Sequence, residues 1–351
     1  MRKHRPDVHF RSPGALIAAL PAVLGFVPEK SLVLVSIEDA LMGAVMRADL
    51  TAELAANTGH LAGVAASSGA DTVIAVIVDA DGALCPMCTD DHRELCDALR
   101  SGLQAHGIDL EACHVVDRVE AGGLWHCIDD CGARGTVEDP GASPLAAAAV
   151  LEGRRLYARR SDLQAVIAPA DCARSRALVA LIDAEAARRA ESWRADPDAC
   201  GRCDVVRVIR MAAEVSEGAE PADDDIAAVA AALTDVAVRD TMYALAIGTG
   251  ATQAENLWSV LSRLLPEPHR AEALVLLAFS AYARGDGPLA GISLEAALRV
   301  DPDHRMAGML DTALQSGMRP EQIRELAATG YRLASRLGVV LPPRRAFGRP
   351  A

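Results

Sequence analysis

Paired cysteines are the residues of this chain whose type and spacing could carry chemistry. Two thiolates held a few residues apart on a turn chelate zinc, and a tetrahedral structural site needs two such pairs. The same spacing supports thiol–disulfide exchange when the pair lies at a helix N-terminus in a thioredoxin-like β-α-β unit. The three close pairs are Cys85 and Cys88, Cys127 and Cys131, and Cys200 and Cys203.

A zinc site is the first chemical prediction. Cys85 and Cys88 would meet Cys127 and Cys131 at one sheet edge if the strands near the two pairs are neighbours, with His126 as a substitute ligand. Two alternatives stay open. Cys85 and Cys88 would form a redox pair, or all of these cysteines are small apolar residues that fall in loops by chance.

Three aspartates that follow strand-like segments are candidates for lining a ligand pocket. Asp39 follows the segment 31–37, whereas Asp79 and Asp81 lie at the end of the segment 71–79. Open α/β sheets bind ligands beyond the carboxyl ends of their strands, so a ligand or substrate would bind there. No nucleophile, base and orienting group can be assembled from spacing, and the usual dinucleotide, phosphate-loop, metalloprotease and serine-hydrolase motifs are absent. We therefore assign no catalytic residue.

These residues must be positioned by secondary structure, and the order of strand-like and helix-like segments predicts an α/β N-terminal domain over 1–144, with a mixed sheet and helices. Apolar β-branched runs indicate strands, and apolar residues at helical spacing indicate helices. Pro21 is expected to end the first helix, and a short strand is expected around Trp125. The predicted strands are 31–37, 43–50, 71–79 and 113–119, and the predicted helices are 12–20, 52–67 and 90–106.

A helical domain is predicted over 145–341, because strand-like runs give way to alanine-rich segments studded with Arg and Glu. Residues 271–304 fit one tetratricopeptide-like helical hairpin, with a turn at Arg284–Gly287. No second copy occurs at the 34-residue period of that repeat. The Pro- and Arg-rich tail 342–351 is expected to be disordered.

Charge and hydropathy exclude several partners. Lys and Arg number 35 against 48 Asp and Glu, giving a net charge of −13 that disfavours nucleic acid and anionic lipid. No apolar run reaches the length of about 18 residues needed for a membrane helix. The basic and apolar N-terminus is a poor match to a secretory signal. We expect a cytoplasmic protein, with mostly reduced thiols, no nucleic-acid partner and no membrane.

The segment Leu24–Val35 (LGFVPEKSLVLV) resembles an actinobacterial family of domains of unknown function, numbered 4192. The region of Trp125 with its two following cysteines, the segment 144–169 and the segment 278–302 extend the resemblance over nearly the whole chain. The resemblance implies a cytoplasmic protein and brings no established activity or catalytic residue. Cys85 and Cys88 depart from the family pattern, which argues against a zinc site common to the family.

These observations favour a non-catalytic interaction or regulatory protein. The helical domain would bind a protein partner, and the α/β domain would supply a ligand pocket or docking face. One alternative is an enzyme with a small-ligand site at the carboxyl edge of the N-terminal sheet. A second alternative is a structural protein in which zinc holds the long loop on the sheet edge.

Overall fold

The computed structural model describes residues 12–38, 41–129, 131–151, 155–170 and 172–345. Contacts divide them into two compact units. The α/β unit runs to Leu163 and includes Gln315–Gly317, and the helical unit comprises Gln164–Leu314 and the residues from Met318 onward. The α/β unit extends past residue 144 because the helix Pro144–Leu151 packs against the helix Pro13–Leu24.

The α/β unit alternates strands and helices, with short 3-10 turns at Leu54–Asn57 and Pro140–Ala142. Its helices are α1 (Pro13–Leu24), α2 (Thr58–Ser67), α3 (Pro86–Gln104) and α4 (Pro144–Leu151), and α5 (Arg160–Ala165) begins in this unit and ends in the helical one. Its strands are β1 (Ser31–Glu38), β2 (Leu41–Asp49), β3 (Thr72–Val78), β4 (Asp109–Val116), β5 (Leu124–Cys127) and β6 (Arg134–Thr136).

The six strands of the described chain form one sheet in the order β2-β1-β3-β4-β5-β6, which confirms the predicted mixed sheet. β1 and β2 form the expected antiparallel hairpin, and β1 also pairs antiparallel with β3. β3 and β4 are parallel and are joined through α3. Their carboxyl ends therefore lie side by side, with Val78 opposite Val116.

Helices cover both faces of this sheet. On one face, Leu34, Ile77 and Val115 pack with α2 and α3 in a single buried cluster that includes Leu99. Neighbouring residues of a strand point to opposite faces, so Trp125 lies on the other side of β5 from His126. Gly14 of α1 lies against Trp125, because a Cβ added to Gly14 would be 3.3 Å from the indole nitrogen.

Two helices of this unit differ from the sequence prediction. α1 continues through Pro21 to Leu24 and ends at Gly25, whose left-handed backbone (φ 76°) donates its N–H to the Pro21 carbonyl. Proline removes one helical hydrogen bond, but α1 is almost wholly buried, and its packing retains the last turn. α3 begins at Pro86, four residues before the predicted start. Proline is favoured in the first turn, where its missing N–H has no helical acceptor.

The second unit is helical, as predicted, with a further 3-10 turn at Tyr243–Ile247. α11 and α12 pack against each other, with the turn between them at Gly285. The Tyr331 hydroxyl donates to the Pro342 carbonyl, so the first residues of the predicted tail contact the helices. No helix among the described residues is long and apolar enough to cross a membrane. The helices are α6 (Cys172–Ala195), α7 (Pro197–Ser216), α8 (Asp223–Leu233), α9 (Val236–Met242), α10 (Ala251–Leu264), α11 (Arg270–Arg284), α12 (Gly287–Val300), α13 (Arg305–Gln315) and α14 (Pro320–Arg336).

Candidate functional site

A cavity of about 510 Å³ opens at the carboxyl ends of β3 and β4. We call it the edge pocket. Three chain segments that are distant in sequence form its walls: the link between α1 and β1, the residues after β3, and the residues after β4. Ala158, which precedes α5, also lines the cavity. The lining residues are Val27, Pro28, Glu29, Lys30, Val78, Ala80, Asp81, Asp117, Arg118, Val119, Glu120 and Ala158.

The link between α1 and β1 is held in place by main-chain hydrogen bonds at both ends. Tyr157 donates its N–H to the Gly25 carbonyl at 2.7 Å and accepts one from Val27 at 3.3 Å. Lys30 has a positive φ of 40°, and its carbonyl accepts the N–H of Leu50 at 2.9 Å. A non-glycine residue in that conformation is uncommon and is maintained only by its surroundings. This wall of the edge pocket is therefore built into the fold.

Buried Ser31 completes the link. Its hydroxyl donates to the Glu29 carbonyl at 2.6 Å and accepts from the Arg47 guanidinium of β2 at 2.8 Å. Ser31 is fully buried, and a buried hydroxyl must be hydrogen-bonded to avoid a desolvation cost. Ser31 therefore ties the pocket wall to the β1–β2 hairpin.

Charged side chains surround the mouth of the edge pocket. Lys30 and Asp81 form an ion pair at 3.3 Å, and Arg118 is held by Asp117 at 2.6 Å and by Glu120. The Glu29 carboxylate makes no ion pair or hydrogen bond within the described part of the chain. Four acidic and two basic side chains line the cavity, so its field favours a positively charged group.

Asp79 also lies at the carboxyl ends of β3 and β4, but its side chain is on the face of the sheet opposite the edge pocket. It continues the ladder by donating its N–H to Val116, so its side chain alternates with that of Val78. Asp79 is only 8% exposed, and its Oδ2 lies 3.2 Å from Nε2 of buried His92 on α3. Its Oδ1 is buried without a hydrogen-bond partner in the described chain. An unsatisfied buried carboxylate oxygen is costly, which marks this position for a role beyond packing.

Cys85 and Cys88 lie beside this aspartate, at the start of α3. Cys85 occupies the N-cap position, and its carbonyl accepts the N–H and the hydroxyl of Thr89 at 3.0 and 2.9 Å. Hydrogen bonds from the backbone and thiol of Cys88 and from the backbone of Met87 lower the pKa of Cys85. The pKa of Cys88 is raised because its thiol donates to Cys85. The pair is thus polarised, with the negative charge favoured on Cys85.

Cys127 and Cys131 form a separate pair after β5. Burial and a hydrogen bond with Cys131 raise the pKa of Cys127 to about 11. No three His, Cys, Asp or Glu side chains lie together in a metal-binding group anywhere in the described residues. The zinc site of four cysteines stays a prediction, and elemental analysis of untagged protein tests it.

The predicted pocket aspartates have three different positions. Asp81 lines the edge pocket, Asp79 lies on the other side of the edge, and Asp39 falls outside the described residues. The sequence interpretation missed Glu29 and His92. His92 could have been found from the predicted helix 90–106, in which it lies three residues before Leu95 on the face that packs on the sheet.

The helical unit has its own cavity of about 770 Å³, bordered by α6, α7, α8 and α9. The half-exposed indole of Trp193 and the exposed side chain of Val236 lie at its rim. Beneath them, the Arg189 guanidinium donates to Asp204 at 2.8 Å and to Asp235 at 2.6 Å. This arginine is saturated by protein carboxylates, so the cavity offers mainly apolar contacts.

The architecture is thus that of a protein with an α/β unit that has a charged pocket at its sheet edge, followed by a helical unit. The model of a family described as Domain of unknown function (DUF4192) matches residues 13–321, so the chain belongs to this family. The comparisons with curated proteins and with solved structures find no match.

Proposed function

We propose that this protein is a non-catalytic regulatory protein that binds a small organic cation in the edge pocket. The observation that carries the proposal is the construction of the pocket wall. Val27–Lys30, from the motif by which the sequence resembles its family, lines the cavity beyond the carboxyl ends of β3 and β4. Ligands of open α/β sheets bind at this kind of position.

The charges of the lining residues support a cationic ligand. The Lys30–Asp81 and Arg118 pairs leave the Glu29 carboxylate at the mouth without a partner in the described chain. Val78 and Val119 supply a buried apolar floor. A molecule with an ammonium or guanidinium group on an aliphatic body matches both features, whereas a dianion would meet an unfavourable field.

We propose that the helical unit supplies the surface for a protein partner, with Trp193 and Val236 as its apolar contacts. Exposed aromatic residues beside a cavity are typical anchors of protein interfaces. The tetratricopeptide-like character of the α11–α12 hairpin belongs to the same proposal, as does a cytoplasmic location. An enzyme at the sheet edge remains the alternative, for which no catalytic residue of the edge pocket is assigned.

The test uses agmatine, an aliphatic cation with a guanidinium and an ammonium group, and glutarate, an aliphatic dianion. We expect agmatine to raise Tm of the full chain and to bind measurably by calorimetry, and glutarate to do neither. Glu29→Gln should weaken agmatine binding about two- to five-fold, the range for one exposed ion pair. Glu53→Gln, which removes an exposed carboxylate outside the pocket, is the matched control. Equal responses to agmatine and glutarate, or equal effects of the two variants, would count against the proposal.

A further inference from the structure

We infer that Cys85 and Cys88 form a redox-active dithiol that exchanges with disulfides of a polypeptide partner, and that Asp79 accepts the proton of Cys88. This activity goes beyond the proposed ligand binding and uses the opposite side of the sheet edge. The sequence alone left a redox role as an alternative that required a β-α-β unit with the cysteines at the helix N-terminus.

The structure meets that requirement. β3 and β4 are parallel neighbours joined by α3, and Cys85 is the residue that caps this helix of 19 residues. The first amides of a helix have no helical acceptor, and the helix dipole favours negative charge at this end. The Cys85 thiolate is therefore stabilised by the fold, while Cys88 lies one turn further along.

Asp79 is the second, independent observation. The residue is only 8% exposed, and its Oδ1 is buried with no partner in the described chain. A Cβ built on Gly82 would lie 2.1 Å from Asp79 Oδ2 and 3.1 Å from the Cys88 Cβ. Asp79 and Cys88 therefore border the same small space, which only a glycine at position 82 leaves open.

The charged surroundings of this pair come from two elements. α3 presents His92 to Asp79 and presents Asp91 to both thiols. His126 of β5 lies near His92. The hydrogen bond to Cys85 is the main cause of the raised pKa of Cys88, and burial and the charges of Cys85 and Asp79 add to it, so Cys88 stays protonated until Cys85 is consumed. Asp79, which borders the same small space as Cys88, is then the buried anionic acceptor for that proton.

The exchange balances in two steps. The Cys85 thiolate attacks one sulfur of the partner's disulfide, forming a mixed disulfide and releasing a thiolate that takes up a proton. The Cys88 thiol then passes its proton to Asp79 and attacks the Cys85 sulfur, which breaks the mixed disulfide and expels the second partner sulfur as a thiolate. This thiolate takes the proton from Asp79 and leaves as a thiol. The partner's disulfide gains two electrons and two protons, and Cys85 and Cys88 are left joined as a disulfide.

Two exposed apolar side chains favour a disulfide on a polypeptide. Leu84 directly precedes Cys85 and is 77% exposed, and Met87 lies between the two cysteines and is 81% exposed. Exposed large apolar residues beside a reactive group are typical of contacts with a partner chain, and methionine adapts to varied partners. Cys85 and Cys88 are free thiols, whereas Cys96 and Cys113 are joined by a disulfide that is buried in the core cluster and inaccessible to a partner.

The first test measures the reduction of insulin disulfides by the full chain with dithiothreitol as electron donor, and hydroxyethyl disulfide replaces insulin in a parallel arm. We expect the wild type to exceed Cys85→Ser at least about tenfold with insulin, and to act more weakly on the small disulfide. Cys88→Ser should stop turnover and accumulate a mixed disulfide on Cys85, detected by mass spectrometry. Cys203→Ser, which removes an exposed cysteine of α7, should match the wild type.

The second test isolates Asp79. Asp79→Asn should slow the resolution of the mixed disulfide at pH 7 and approach the wild-type rate above the ordinary thiol pKa of about 8.5, because Cys88 then ionises without help. Circular dichroism checks that this variant is folded. Equal rates for wild type and Cys85→Ser, the absence of a Cys85–Cys88 disulfide after oxidation, or a stoichiometric zinc released when Cys85 is alkylated would overturn the inference.

Discussion

The chain contains two Cys-x-x-Cys segments, and the fold places them at different positions relative to the start of a helix. Cys85 precedes the first residue of α3, whereas Cys200 lies inside the first turn of α7 and donates its N–H to the Asp196 carbonyl. Asp196 holds the capping position of α7, where its side chain accepts the N–H of Ala199 at 2.9 Å. The capping position is occupied by a thiol in α3 and by a carboxylate in α7.

The electrostatic surroundings widen this difference. Burial raises the pKa of Cys200, and the charge of Asp204 adds to it. Cys85 has its pKa lowered by hydrogen bonds from Cys88 and Met87. The spacing of two cysteines therefore does not determine their reactivity. Reactivity is determined by the position of the cysteines relative to the helix start, because only the first amides of a helix lack a helical acceptor.

The largest expected effect comes from removing the positive charge that pairs with Asp204 of α7 and with Asp235 at the start of α9. Arg189→Ala would leave Asp204 and Asp235 buried without a counter-ion, and we expect the free energy of unfolding to fall by about 3 to 5 kcal/mol. Urea unfolding measures it. In the folded variant, labelling of Cys200 should become slower, because the charge of Arg189 lowers the pKa of Cys200, and this would increase the contrast between the two pairs.

Arg188→Ala is the matched control for this change. The Arg188 side chain is 69% exposed and pairs only with Glu185 among the described residues, so its loss should cost less than about 1 kcal/mol. If Arg189→Ala and Arg188→Ala were equally stable, the ion pairs of Arg189 with Asp204 and Asp235 would not be what stabilises the surroundings of Cys200.

A smaller effect is expected from closing the space between Asp79 and Cys88. Gly82→Ala places a methyl group against the Asp79 carboxylate, which must leave His92, and should destabilise the α/β unit by about 1 to 3 kcal/mol. Thermal and urea unfolding measure this. Gly63→Ala in α2, where an added Cβ has no neighbour within 4 Å, should instead stabilise by about 0.5 to 1 kcal/mol. The same sign for both substitutions would argue against tight packing around Gly82.

The smallest effect is a shift in the pH at which each thiol becomes reactive. Because its pKa is lowered, Cys85 should reach half of its maximal iodoacetamide labelling rate below the ordinary thiol value of about 8.5, and Cys200 above it. Mass spectrometry resolves the two peptides. In urea the two profiles should coincide, since both shifts need the fold. Coincident profiles in the native protein would remove the distinction between the pairs.

Most of the α/β unit follows from local sequence. The apolar runs that predict strands at 31–37 and 71–79 correspond to Ser31–Glu38 and Thr72–Val78, because a strand buried on both faces must be aliphatic throughout. Local rules failed at Pro21, where the packing of α1 outweighs one missing hydrogen bond. They also placed the start of α3 too late, which hid the N-terminal position of Cys85.

The candidate sites were predictable only in part. Asp81 followed from the rule that ligands bind beyond the carboxyl ends of strands, and it lines the edge pocket. Glu29 and Arg118 could not be placed there from sequence, because they come from links whose approach depends on the hydrogen bonds of Tyr157 and on the β3–β4 register. The contact of His92 with Asp79 depends on how α3 packs against the sheet.

By itself, the sequence determined the α/β unit followed by helices and the presence of paired thiols, because these follow from hydrophobic periodicity and spacing within one segment. The tertiary structure alone decided that Cys200 is buried against Arg189 of another helix, whereas Cys85 is partly exposed. It also decided that a buried aspartate lies beside Cys88. Reactivity depends on unpaired amides, burial and nearby charges, and these are set by contacts between segments that are distant in the chain.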